Sequence, residues 1–135
     1  MTPIRANFTI PKLVTKRMSV YAVLVAHNIH RALLEVAMIL RFFRAIIHDG
    51  KQAEFKMFFL GTALPIVRSH PGLVSVSIGL PRPESPNEFS MSMVWRDMDA
   101  LKGFAGENWQ KAVIHPDEAH LLKATFVYHY DLAVI

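Results

Sequence analysis

No cysteine occurs in the 135 residues. Disulfides, thiolate catalysis and cysteine-held zinc or iron–sulfur centres are therefore excluded; a reducing compartment is compatible with this without following from it, and the expected location is cytoplasmic. Acids are missing from the first 34 residues, which carry Arg5, Lys12, Lys16, Arg17 and Arg31, so the net charge of +4 comes largely from this lead and the remainder is close to neutral. Beyond residue 50 there is no stripe of Lys and Arg interleaved with aromatics, which argues against a nucleic-acid partner. No apolar run approaches the ~20 residues that a membrane-spanning helix needs, so no stable span is expected. A glycine-rich phosphate loop, a G-x-S-x-G elbow and a dinucleotide fingerprint are also missing.

What is present is apolar. The chain is 52% hydrophobic and 19% charged, about one domain long, and its mean hydropathy is positive. In so short a chain this implies apolar surface buried against another molecule, most simply a second copy. The lead, residues 1–37, reads as an extension to a domain spanning 38–135. Its "MSVYAVLVA" and "HNIHRALLEVAMIL" predict a helix over about Val20 to Val36, with Val23, His27, His30 and Leu34 along one face. The same apolar run also fits the core of an export signal without a convincing cleavage site, and Met38 is a third option as the natural start.

From Met38 the pattern predicts alternating elements. "ILRFFRAII" alternates and is rich in β-formers, and "HDGK" turns the chain. "KQAEFKMFFLGTALPIVRSH" places Phe55, Phe58, Phe59, Ala63 and Ile66 at helical spacing, with Pro65 as a kink. "LVSVSIGL" and "FSMSMVW" are strands separated by a Pro-rich loop, and Trp95 falls on the face that meets helices. Asp97 is placed to cap "MDALKGF", "AGEN" interrupts, and "WQKAVI" is expected to continue as a second helical piece. "PDEAHLL" begins another turn, and "KATFVYHYDLAVI" is the last strand. This β-α-β-β-α-β order is the ferredoxin-like plan of an α+β fold. Its uncovered sheet face is too apolar for water, which predicts a symmetric homodimer with a shared barrel.

With the elements placed, the chain resembles the antibiotic biosynthesis monooxygenase domains, a family of small dimeric α+β barrel proteins. The resemblance runs from about Met38 to Asp131 and rests on "MILRFFRAIIHDGKQAEF", "LPIVRSHPGLVSV", "MVWRDMDALKGFAGENWQKAVI" and "VYHYD". It implies a domain used by cofactor-independent oxygenases that turn phenols or quinols into quinones, by haem-degrading monooxygenases, and by proteins with no known reaction. The haem-degrading pattern of a first-strand asparagine, a third-strand tryptophan and a second-helix histidine is met only by Trp95. Phe43 stands where the asparagine would be, and the histidine's place falls near Val113 or Ile114, beside His115.

The candidate site follows. Trp95 is expected to floor a pocket and stack on a flat substrate, and Trp109 to anchor the helix or join the pocket wall. His115 and His120, five apart across a proline, do not form a metal pair, but either could take a proton from a phenol near neutral pH. Arg41 and Arg44 interrupt an apolar strand on opposite faces. Each needs a partner, either a carboxylate such as Asp97 or Glu54, or an anionic substrate. Arg44 is assigned to steady an anionic oxygen, while Phe55, Phe59 and Phe104 shape an apolar cavity that excludes water. The reading is a monooxygenase using molecular oxygen and a small aromatic substrate, with no metal or other cofactor. The alternative is a non-catalytic dimeric binding protein of the same fold, with haem binding third.

Overall fold

The computed structural model describes residues 19–133 and 135, and the side chains of 30–37 are not described. The basic residues Arg5, Lys12, Lys16 and Arg17 and the side chains of His30 and Leu34 therefore lie outside the described residues. The chain separates into two compact units between Leu34 and Glu35. The Ser19 hydroxyl accepts from the Ala22 N–H at 3.1 Å and starts helix α1, Val20–Ala37, close to the predicted span. No helix among the described residues is long and apolar enough to cross a membrane.

The second unit begins with β1, Ile39–Ile47, whose residues are alternately buried and half-buried along its whole length. Helix α2, Gln52–Phe58, passes through a π-helical turn, Phe59–Ala63, into α3, Leu64–Arg68. Pro65 has no N–H for the carbonyl four residues back, and its ring crowds that carbonyl. The turn ahead of it widens, with the Leu64 N–H reaching the Phe59 carbonyl, so the helix continues through the predicted kink. Strands β2, Leu73–Gly79, and β3, Glu88–Trp95, follow, then α4, Met98–Ala105, and β4, Leu122–Asp131. The sheet is antiparallel in the order β2-β3-β1-β4, the ferredoxin-like arrangement, and is open in the single chain. Asn87, closing the Pro-rich loop, donates to the Ile47 carbonyl at 2.9 Å and accepts from Gln52 at 2.9 Å, which ties that loop to the turn after β1.

The helices pack on the face carrying Ile39, Phe43, Ala45 and Ile47 of β1 and Phe89, Met91, Met93 and Trp95 of β3, joined by Phe55, Phe59, Val67 and Leu101. Trp95 is fully buried and lies on the helix-facing side, as its place in the alternation predicts. The other face carries Leu40, Phe42, Arg44 and Ile46, paired in register with Tyr130, Tyr128, Phe126 and Ala124. Phe126, Tyr128 and Tyr130 are 40%, 41% and 53% exposed there.

The predicted second helical piece does not form. Asp97 caps α4 as expected, its carboxylate accepting from the Ala100 N–H at 2.8 Å, and Gly106, with φ +81°, ends the helix. Beyond it "WQKAVI" runs as turns and irregular chain. Continuing the helix would direct the carbonyls of Trp109 and Lys111 to the N–H groups four residues on. Instead both carbonyls accept from the Arg41 guanidinium, at 2.6 and 3.0 Å, and the His115 N–H donates to Glu118.

Four substitutions at three positions test this packing. At Gly72, where φ is +88°, an added Cβ would stand 2.4 Å from the Ala100 Cβ, whereas Gly103 in α4 has nothing within reach. Gly72→Ala is expected to cost more than about 1 kcal/mol in urea unfolding and Gly103→Ala to be neutral or stabilising. Because Trp95 is fully buried, Trp95→Ala is expected to lose about 3–5 kcal/mol, and Trp95→Phe clearly less in the same assay.

Candidate functional site

A cavity of about 270 Å³ lies between the helices and the sheet. Its sheet wall is Arg41 and Phe43 from β1 with Met91 and Met93 from β3, the residues whose alternation turns them toward the helices. Phe58, Phe59, Ala63, Ile66 and Val67 form the helical wall, brought to one side by the π turn. Phe104 closes one end, and Val113, Ile114, His115, Pro116 and Glu118 complete the boundary from the irregular segment. The lining is almost wholly apolar, and its ionisable groups are Arg41, His115 and Glu118.

Arg41 is 1% exposed. Nη1 donates to the Trp109 carbonyl at 2.6 Å and to His129 Nε2 at 2.9 Å, and Nη2 donates to the Lys111 carbonyl at 3.0 Å. His129 is thereby an acceptor, and burial together with the neighbouring guanidinium holds its pKa below the usual imidazole value. The guanidinium also stands 5.7 Å from the centre of the Phe104 ring, which stacks on Trp95 at 5.2 Å and 20°. Burial lowers the Arg41 pKa to about 10, so it remains a cation at neutral pH.

His115 and Glu118 close a turn. The His115 Nδ1 accepts from the Asp117 N–H at 3.0 Å, and the Glu118 Oε2 accepts from the His115 N–H at 2.7 Å. The Glu118 N–H meets the His115 carbonyl at 3.1 Å, which makes this a β-turn with Pro116 at its second position. The neutral imidazole then carries its proton on Nε2 and offers a donor. Glu118 is 5% exposed, and burial, the largest influence on it, raises its pKa above the carboxylate range. With His115 Nδ1 already taken by the Asp117 N–H and Glu118 Oε2 by the His115 N–H, Glu118 Oε1 is the oxygen of this pair left to accept a proton.

The structure therefore brings together Phe59, Phe104 and His115 of the expected site, and separates the others from it. Trp95 lies behind Phe104 with its Nε1 buried and unpartnered among the described residues, so it supports the cavity end without lining it. Phe55 is in the core beneath Phe59, ring centres 4.9 Å apart. Trp109 stands edge-on to His129 at 5.1 Å and contributes its carbonyl to Arg41. His120 pairs with Glu54 at 3.1 Å on the surface. Arg44 lies on the other sheet face, bound to both oxygens of Glu88 at 2.7 and 3.1 Å. That hydrogen-bonded pair raises the Arg44 pKa and lowers that of Glu88.

Two cavity residues escape the sequence assignment. Arg41 is conspicuous in an apolar strand, but the carboxylates named for it are committed elsewhere, Asp97 to its helix cap and Glu54 to His120. Glu118 carries a legible signal, the acid three residues after His115 with a proline between. Among the described residues no group of three His, Cys, Asp or Glu is placed to hold a metal ion.

No protein-family model matches the sequence, and no curated protein sequence does. Solved structures do match the fold. A candidate antibiotic biosynthesis monooxygenase from Caulobacter crescentus aligns over 78% of this chain and 98% of its own, with 23% identity and TM-score 0.56. SnoaB from Streptomyces nogalater, a cofactor-independent oxygenase, aligns over 73% of this chain and 96% of its own, with 22% identity and TM-score 0.55. NE2512 of Nitrosomonas europaea, a protein of unknown function, covers 75% of this chain and 94% of its own at 18% identity and TM-score 0.59. With β2-β3-β1-β4 pairing and both helical segments on one face, the chain has the fold of the antibiotic biosynthesis monooxygenase domains.

Proposed function

We propose that the protein is a cofactor-independent monooxygenase that oxidises a small hydroxylated aromatic or quinol to a quinone within this cavity. The observation that carries the reading is an apolar, aromatic-walled cavity bordered by Glu118, whose burial raises its pKa, by His115 and by the buried cation Arg41. Glu118 Oε1 takes the phenolic proton, since Oε2 is held by the His115 N–H. The electron-rich phenolate then gives electrons to molecular oxygen and a carbon–oxygen bond forms. Loss of the proton from that carbon as the oxygen–oxygen bond breaks leaves a second carbonyl and releases water, so one phenol and one O2 yield one quinone and one H2O. His115 Nε2 stabilises negative charge developing on oxygen, where a low local dielectric strengthens it.

The working unit in this reading is a homodimer. Two sheets packed through the faces carrying Leu40, Phe42, Phe126, Tyr128 and Tyr130 would cover the apolar surface that a single chain leaves open. Arg44 and Glu88, neutralising each other on that face, would be buried as a satisfied pair.

Oxygen consumption with a panel of quinols and dihydroxynaphthalenes tests the proposal. Saturable uptake with one quinone formed per O2 is expected. Glu118→Gln, which keeps an oxygen for the His115 N–H, should lower kcat by about 10²–10⁴-fold. Because burial raises the Glu118 pKa, the wild-type kcat/KM should climb with pH through a value above 4.5 as the base ionises, a limb that Glu118→Gln abolishes. No uptake across the panel would favour the alternative, a binding protein in which His115 and Glu118 only close a turn.

A further inference from the structure

The geometry points to an aromatic acid as the ligand of this cavity, its carboxylate answering the charge of Arg41 and its ring hydroxyl lying toward Glu118. The inference rests on the cavity being the ligand site, but not on oxygen chemistry taking place there.

A guanidinium has five N–H donors. Arg41 uses three, on the carbonyls of Trp109 and Lys111 and on His129 Nε2, all of them neutral acceptors. Its Nε is buried with no partner among the described residues. The ion pairs of the described residues join Arg44 to Glu88, Arg82 to Glu84, Arg96 to Asp97, and His115 and His120 to Asp117 and Glu54, and none includes Arg41. Glu118 borders the same cavity, but its bonded oxygen is turned to the His115 N–H. A 1%-exposed arginine ordinarily has a carboxylate beside it. Here neutral dipoles and the Phe104 face hold the cation in place and leave its charge uncompensated at the border of an apolar space.

That charge selects for an anion, and the walls determine which kind. Phe43, Phe58, Phe59, Phe104, Met91 and Met93 offer flat and polarisable surface to a ring and few partners to a sugar or a peptide. The volume of about 270 Å³ lies at the small end of ligand pockets, which fits one or two fused rings. A carboxylate matches the planar donor geometry of arginine better than it matches any other side chain. With Arg41 on the sheet wall and Glu118 on the loop wall, a hydroxylated acid bearing its two groups at opposite ends satisfies both.

The test is calorimetric titration of the full chain with 6-hydroxy-2-naphthoate and with its neutral amide, which have the same rings and nearly the same shape. The acid should bind the wild type roughly tenfold or more tighter than the amide, the margin of one hydrogen bond to a charged group. A preference caused by another cation is separated by the Nε–H resonance of Arg41 in the labelled wild type, which should move with the acid and stay with the amide. Equal affinities for the pair, no saturable binding of either, or an Nε–H resonance that stays in place with the acid each overturn the inference. Tight acid binding without oxygen uptake would uphold it and reject the oxygenase reading.

Discussion

Arg41 is the second inward-facing residue of a strand built, apart from it and the outward-facing Arg44, from Ile, Leu, Phe and Ala, and most of what distinguishes this molecule follows from what its guanidinium holds. The segment after α4 has no helix or strand to satisfy its backbone, and a buried unpaired carbonyl costs about 1–3 kcal/mol. Arg41 takes two of those carbonyls from beneath, so the segment is laid over the sheet at the height of one arginine side chain. The space between that segment and the helices is the cavity. A leucine in this position would leave the segment free to coil against the core and fill the space.

The same arginine orders the neighbouring polar groups. Its Nη1 fixes His129 as an acceptor, and the imidazole in turn meets the edge of Trp109, whose carbonyl Arg41 already holds. The ring of Phe104 meets both the guanidinium, 5.7 Å from its centre, and the indole of Trp95, stacked at 5.2 Å. Trp95, at the end of β3, thus affects the cavity only through Phe104. Rigid parts at one remove are what keep a small apolar site open against the general tendency of cores to close-pack.

Most of the fold is legible in the sequence because the strands are long and alternate cleanly. β1, β2 and β3 fall where period-two hydrophobicity puts them, β4 begins there but ends at Asp131, short of the expected run to Ile135, and Asp97 behaves as a cap because its side chain has a local partner three residues on. The site is legible in part. Phe59, Phe104 and His115 can be assigned from helical spacing and from a proline that ends regular structure. Arg44 and His120 are misplaced for a common reason: which of two arginines in one strand faces the cavity, and which histidine in a short loop turns inward, depends on tertiary contacts at 44 and 66 residues' separation. The failure of "WQKAVI" to coil has the same origin. Its local preference is helical, and an arginine 68 residues earlier in the chain overrides it.

The π turn at Phe59–Ala63 has a consequence for how the gene tolerates change. Such a turn is an α-helix carrying one surplus residue. Deleting a single codon there would let the turn close as regular α-helix with the residues beyond it near their present faces, because the wide turn already absorbs the extra residue. Ile66 and Val67 would stay at the cavity wall, but Pro65 would meet the carbonyl four residues before it in a turn with no room for its ring. In this helix the extra residue is the space that the proline occupies.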